Sequence, residues 1–219
     1  MSFPQVAATN TSAETNNVTT HTVNLPSGIV AGDLLILLIA ADGSETLTLP
    51  SGFNLLALTA WGGLTARLGY KIADGTEGST TTFSTSAGER SAHQSYRING
   101  WRADTPPEVS ANAGTSASAT FTALDPVNWD VEDTLWLAFA VSDADTTFSV
   151  DPTGYTNAIE NDSGSGSTGV KVRSLRLELR AASETPSAMT NTSNPWETAT
   201  VAVRPAAAAY GRRAFRGGP

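Results

Sequence analysis

Two histidines, His21 and His93, are the only imidazoles in the chain, and cysteine is absent. Either histidine could head a His–Asp–Ser arrangement, since Asp and Ser are plentiful, but no GxSxG elbow accompanies them. The run SGSGS from Ser163 to Ser167 has glycine where the nucleophile would stand, and reads as a flexible loop. Without thiols, disulfide staples, thiolate zinc sites and cysteine nucleophiles drop out together. Neither a Walker loop nor an HExxH helix occurs. The expectation is a protein that is not an enzyme and that needs no cofactor and no metal.

Carboxylates are the remaining titratable groups. Glu132 and Asp133 are adjacent, so in a strand they point to opposite faces. Asp143 and Asp145 point the same way just past a strand end, and Asp42 with Glu45 occupies the matching place in the first half. Paired carboxylates serve glycosidases and clustered oxygens serve calcium. Acidic residues after a strand are more commonly solvated turn formers, and EF-type spacing is missing.

Indoles offer a different chemistry, stacking on sugar faces. Of Trp61, Trp101, Trp129, Trp136 and Trp196, the fourth lies in an apolar strand and belongs to the core. Trp61 precedes Gly62-Gly63 and Trp101 follows Gly100, which places both on turns as candidate glycan contacts. The competing reading makes them plugs at the ends of the fold.

A third candidate is the C-terminal segment from Pro205, PAAAAYGRRAFRGGP, which is basic where the body is acidic. Tyr210 and Phe215 as anchors, with Arg212, Arg213 and Arg216, suit docking onto a partner surface. An idle, unstructured end is the alternative.

These residues must be positioned by strands. Hydrophobic residues make up 40% of the 219, enough for a packed core, while the net charge of −8 argues against a nucleic-acid partner. The longest apolar run, Leu34 to Ala41, is far shorter than the roughly 20 residues of a membrane helix. The opening MSFPQVAATNTSAE lacks a basic start and an apolar centre, so no signal peptide is expected, and synthesis in a cytoplasm follows. Short runs rich in Val, Ile, Thr, Leu and Phe alternate with Gly, Pro, Asp and Ser clusters, the pattern of many short strands. DLLILLIAA (residues 33–41) is apolar at consecutive positions, hence covered on both faces. TARLGYKIA (65–73) and SAHQSYRING (91–100) alternate instead.

The second half repeats this order. GDLLILLIAADG is answered by EDTLWLAFAVSDA, aligning Asp33 with Asp133, Leu35 with Leu135 and Leu37 with Leu137. Pro50-Ser51-Gly52-Phe53 is answered by Pro152-Thr153-Gly154-Tyr155, then LGYKIADGTEG by LRLELRAASET, and SYRINGW by TVAVRPA. A unit of about 100 residues is too long for a solenoid repeat. The expected fold is all-β: a jelly-roll-like antiparallel β-sandwich of two diverged half-repeats, about 1–104 and 105–204, in one domain, followed by a flexible tail, 205–219.

At VNLPSGIVAGDLLILLIAADG, LPSGFNLL, ARLGYKIADGTEG and SYRINGW, and at EDTLWLAFAV, PTGY, LRLELRAA and TATVAVRPA, the chain resembles surface β-sandwich proteins of tailed-bacteriophage virions. These are head-decorating, head-fibre and tail-associated units, and the resemblance covers about residues 3 to 206. It implies a capsid decoration or cement protein on the virion surface, bound to the major capsid protein or other virion proteins. It also implies a homo-oligomer, with a trimer favoured; the acidic charge and the short apolar runs leave neither a nucleic acid nor a membrane as an expected partner. A carbohydrate- or receptor-binding module of a phage tail or fibre is the alternative.

Overall fold

A computed structural model of the chain describes residues 2–57, 60–144, 148–164 and 166–207. Seven strands come from the first half: β1 (Gln5–Asn24), β2 (Leu34–Asp42), β3 (Leu47–Thr48), β4 (Asn54–Ala57), β5 (Ala60–Trp61), β6 (Leu64–Ile72) and β7 (Thr80–Asn99). The second half supplies β8 (Glu108–Gly114), β9 (Ser118–Ala119), β10 (Glu132–Asp143), β11 (Thr156–Asp162), β12 (Val170–Ala181), β13 (Met189–Thr190) and β14 (Trp196–Val203). All pairings are antiparallel, and the two large sheets pack as a β-sandwich.

Each sheet is drawn from one half of the chain. The first runs β1-β7-β2-β6-β4, with β3 and β5 attached to β7 and β6; the second runs β8-β14-β10-β12-β11. Taken in chain order, both have the same arrangement: first strand, last, second, fourth, third. Across the sandwich β1 lies near β11, β2 near β10 and β4 near β8, so the two orders meet in opposite sense.

Burial of β2 and β10 on both faces follows from their sequences. Leu34, Ile36, Leu38 and Ala40 point into the core between the sheets, where they meet Leu135, Leu137, Phe139 and Val141. The intervening residues face outward and are buried too. Leu37, Ile39 and Ala41 form a second core with Val23, Leu25, Leu47 and Phe83. Trp136, Ala138 and Ala140 form a third with Phe121, Trp129, Phe148, Tyr155 and Trp196. A strand apolar at every position needs such cover on both sides.

The cover over the first sheet is its own ribbon. Residues 5–14 of β1 pair with 91–99 of β7, and residues 18–24 pair with 80–89, with a register shift on each side of Val18. At that break the ribbon folds back on itself, so that Asn24 N–H donates to Ser12 Oγ (3.0 Å) and Ser95 Oγ donates to the Asn24 carbonyl (2.7 Å). Bulges of this kind bend a strand sharply. Over the second sheet the cover is loop, including the short β9–β13 pair.

Two turns answer each other. Phe53 N–H donates to the Pro50 carbonyl (3.1 Å) with Gly52 at φ +81°, and Tyr155 N–H donates to the Pro152 carbonyl (3.0 Å) with Gly154 at φ +83°. Positive φ at the third turn position is the reason glycine stands at both.

Candidate functional site

The buried strands β2 and β10 end side by side, each on an aspartate, and the exposed tryptophan stands close by. Asp42 accepts a hydrogen bond from Gly43 N–H (3.1 Å), and the same N–H reaches the Gly63 carbonyl (2.7 Å). A side chain at Gly63 would come within 3.3 Å of Asp143 Oδ2. The turn that carries Trp61 therefore packs beside Asp143, while Gly62 abuts Pro195. Burial raises Asp143 to a pKa of about 6, with a further push from the Asp42 charge. Asp42 is also raised by burial, against the opposing effects of Gly43 N–H and Arg90. Glu89 is raised by burial and then by Asp42 and Glu45. Arg90 is turned elsewhere, its guanidinium donating to the Thr15 carbonyl (2.9 Å) and to Thr168 Oγ1 (2.6 Å). The result is an end at which three carboxyls, Asp42, Glu89 and Asp143, are all raised.

The tryptophans divide sharply. Trp61 is 47% exposed at the end of β5, just before the Gly62-Gly63 turn. Trp101, weighed above as a glycan contact, is only 6% exposed and belongs to the inter-sheet core. Its Nε1–H donates to the Gly32 carbonyl (2.9 Å), and its backbone bridges to Pro205. Gly100 does make a turn, at φ +68°, but that turn drives the indole inward, so Trp101 plugs the end of the sandwich and offers no face to a sugar. Trp129, Trp136 and Trp196 are buried as well.

The tail residues Tyr210, Arg212, Arg213, Phe215 and Arg216, with Asp145, lie outside the described residues. Glu132 is not a free carboxylate. It takes a two-pronged ion pair from Arg204 (2.8 and 2.6 Å), whose guanidinium also lies over Trp129 at 5.3 Å. That pairing holds the Glu132 carboxyl below its ordinary range. The run around Ser163 has its ends tied together rather than hanging loose. Ser163 is fully buried, its N–H donates to the Val170 carbonyl (3.0 Å), and its Oγ accepts from Val170 N–H (2.9 Å).

Sequence reasoning missed what brings the two histidines together. His21 and His93 are fully buried with ring centroids 6.5 Å apart, and Ser91 Oγ lies 2.7 Å from a nitrogen of each. Their other nitrogens meet Thr85 Oγ1 (2.9 Å) and Ser12 Oγ (3.0 Å). Ser91, sealed from solvent, cannot meet a substrate. Burial pushes His93 down to about 3 and lowers His21.

Two edge strands also leave a cleft of about 310 Å³ between β1 and β11, lined by Val6, Tyr96, Ile159 and Arg176 among others. It sits where both strands are bulged, and Asn161 Nδ2–H donating to the Ser12 carbonyl (2.7 Å) closes the gap beyond it. Bulged edges resist pairing with a further strand. Among the described residues no group of three His, Asp or Glu side chains is placed to hold a metal ion.

No protein-family model matches the chain, and no curated protein or solved structure is significantly similar to it.

Proposed function

We propose that the chain is a structural protein of a tailed-bacteriophage virion, a decoration or cement protein on the outer surface of the head. The observation that carries this reading is where the chemistry-bearing side chains are placed. Both histidines and four of the five tryptophans are built into cores, and the paired Arg204 and Glu132 lock strand ends together. That is the economy of a rigid scaffold. The matched strand orders of the two sheets support a duplicated half-unit, and the quoted motifs support the phage resemblance. In this reading the acidic body faces outward, the basic tail docks on the major capsid protein or another virion protein, and copies associate as a trimer. Symmetry then multiplies a modest contact into firm attachment.

Immunogold electron microscopy on particles from the source lysate tests this. Gold spread regularly over heads is the expected result, and particles without gold overturn it. Gold confined to tails would instead favour the second reading, a glycan- or receptor-binding module. Its specific support is Trp61, an exposed indole followed by a turn that packs at Gly63 against Asp143.

A further inference from the structure

The buried histidines have no part in that role, and their geometry admits a reading of its own. His21 is carried by the folded-back arm of the ribbon, while His93 and Ser91 are carried by the sheet beneath it. Thr85 Oγ1 donates to the Ala87 carbonyl (2.8 Å), so it can only accept from His21 Nε2–H. With His21 neutral its Nδ1 then accepts from the Ser91 hydroxyl, which leaves Ser91 Oγ to accept from His93 Nε2–H. His93 Nδ1 in turn accepts from Ser12, whose oxygen also takes Asn24 N–H (3.0 Å). With both imidazoles neutral every proton in the chain is assigned by its neighbours; one added proton is taken only by turning the Ser12 hydrogen out of the chain, and a second finds no acceptor for the Ser91 hydrogen.

We propose that the Ser12–His93–Ser91–His21–Thr85 chain is an acid-sensitive latch, which holds residues 18–24 and 80–85 against the sheet and releases them when an imidazole takes up a proton. A proton on His21 Nδ1 would turn the Ser91 hydroxyl towards His93 Nε2 and move the His93 proton to Nδ1, displacing the Ser12 hydrogen from the chain; with both rings protonated the Ser91 hydrogen would lie between two N–H donors with no acceptor. A proton on His93 Nδ1 would displace the Ser12 hydrogen in the same way. A second charge would sit one ring away from the first in a dry pocket.

The surroundings offer a cation little help. β2 presents Leu37, Ile39 and Ala41, and β3 presents Leu47. β7 presents Phe83, stacked on His21 at 4.4 Å and edge-on to His93 at 5.2 Å. On β1 the carboxylate of Glu14 favours protonated His21, but less than burial opposes it; His93 feels only the charge of His21. Both imidazoles are thus depressed in the closed state, so closure is favoured at neutral pH and loses ground as pH falls below the ordinary histidine value of 6.5. What opening uncovers is the apolar outer face of the first sheet.

Hydrogen exchange of the full chain between pH 7.5 and 4, corrected for intrinsic rates, tests the latch. Below pH 6.5 the amides of 18–24 and 80–85 are expected to lose protection by up to about tenfold per pH unit for each imidazole, while β10 and β12 stay protected. His93→Gln, which cannot charge, should remove one imidazole's share of that dependence. If this variant does not fold, ¹⁵N spectra of the wild-type imidazoles serve instead, with both rings expected as the neutral Nε2–H form at pH 7. Unchanged arm protection down to pH 4 would overturn the proposal. So would simultaneous loss of protection in all strands, or a ring titrating near 6.5 while the arm stays closed.

Discussion

Asp42 and Asp143 hold the same place in the two sheets: each is the last residue of the doubly covered central strand, and the charge of Asp42 helps to raise Asp143. Two like charges at one end of a sandwich are a cost that folding imposes and that chemistry can use. Four measurable consequences follow from this and from the neighbouring contacts.

Asp143→Asn should stabilise the fold at neutral pH. The carboxyl is raised in the folded protein to about 6 from 3.8, so its contribution to stability is intact below pH 3.8 and is lost as pH rises through 6. Removing the charge recovers part of that loss, held to about 1–2 kcal/mol by solvent around a half-buried group. Thermal melts of both proteins at pH 7 and pH 3.5 measure it, with the advantage expected only at pH 7.

Trp61→Ala and Trp101→Ala should behave as opposites. The exposed indole carries little fold energy, so its loss should change stability by no more than about 0.5 kcal/mol. The buried one should cost about 3–5 kcal/mol. Urea melts separate the two, and glycan-array binding of Trp61→Ala against the parent reports on the second functional reading.

Arg204→Ala leaves Glu132 buried beside Trp129 with only the more distant Arg102, at 3.9 Å, for company. The expected loss is about 3 kcal/mol at pH 7. Because the Glu132 carboxyl is lowered from 4.5 in the fold, the ion pair's contribution is present above that value and fades as pH falls through the lowered one. The difference between parent and variant should therefore shrink towards pH 3, which denaturation at the two pH values would record.

Deleting residues 208–219 keeps every described strand and the end contact in which Ala206 N–H donates to the Gly100 carbonyl (2.9 Å), so folding should stay intact. Under the decoration reading it should abolish sedimentation with phage heads. Equal melting temperature with retained particle binding would remove Tyr210, Arg212, Arg213, Phe215 and Arg216 from the docking role.

The central strands and their turns were legible because the signals are local. Consecutive apolar residues in 33–41 mean two covered faces, and Pro-x-Gly-aromatic means a turn with positive φ at glycine. Register was less legible. The sequence match set Leu35 against Leu135, yet Leu35 points outward and Leu135 into the inter-sheet core, so by facing the counterpart of Leu135 is Leu34. A one-residue slip exchanges the faces of a strand, and an unbroken apolar run carries no alternation to prevent it. Correcting the slip is also what brings Asp42 and Asp143 into correspondence.

The histidine pair was illegible for a different reason. SAHQSYRING reads as a strand that begins at Ser91, whereas β7 begins at Thr80, and β1 and β7 are each 20 residues long and fold back in mid-course. Gly88 lies at that bend against the Asn17 backbone, but a side chain there would make only ordinary contact, so glycine does not mark it. No periodicity announces that two parts of one ribbon will face each other.

The folded-back ribbon also orders events during synthesis. The first sheet needs nothing beyond Asn99, and its outer face is covered by residues that have by then been made. Its inner face must wait for partners on β10, β12 and β14, the last of which ends at Val203. A growing chain that has completed the first sheet therefore carries one finished face and one apolar face still open to water, and to any other nascent copy on the same message.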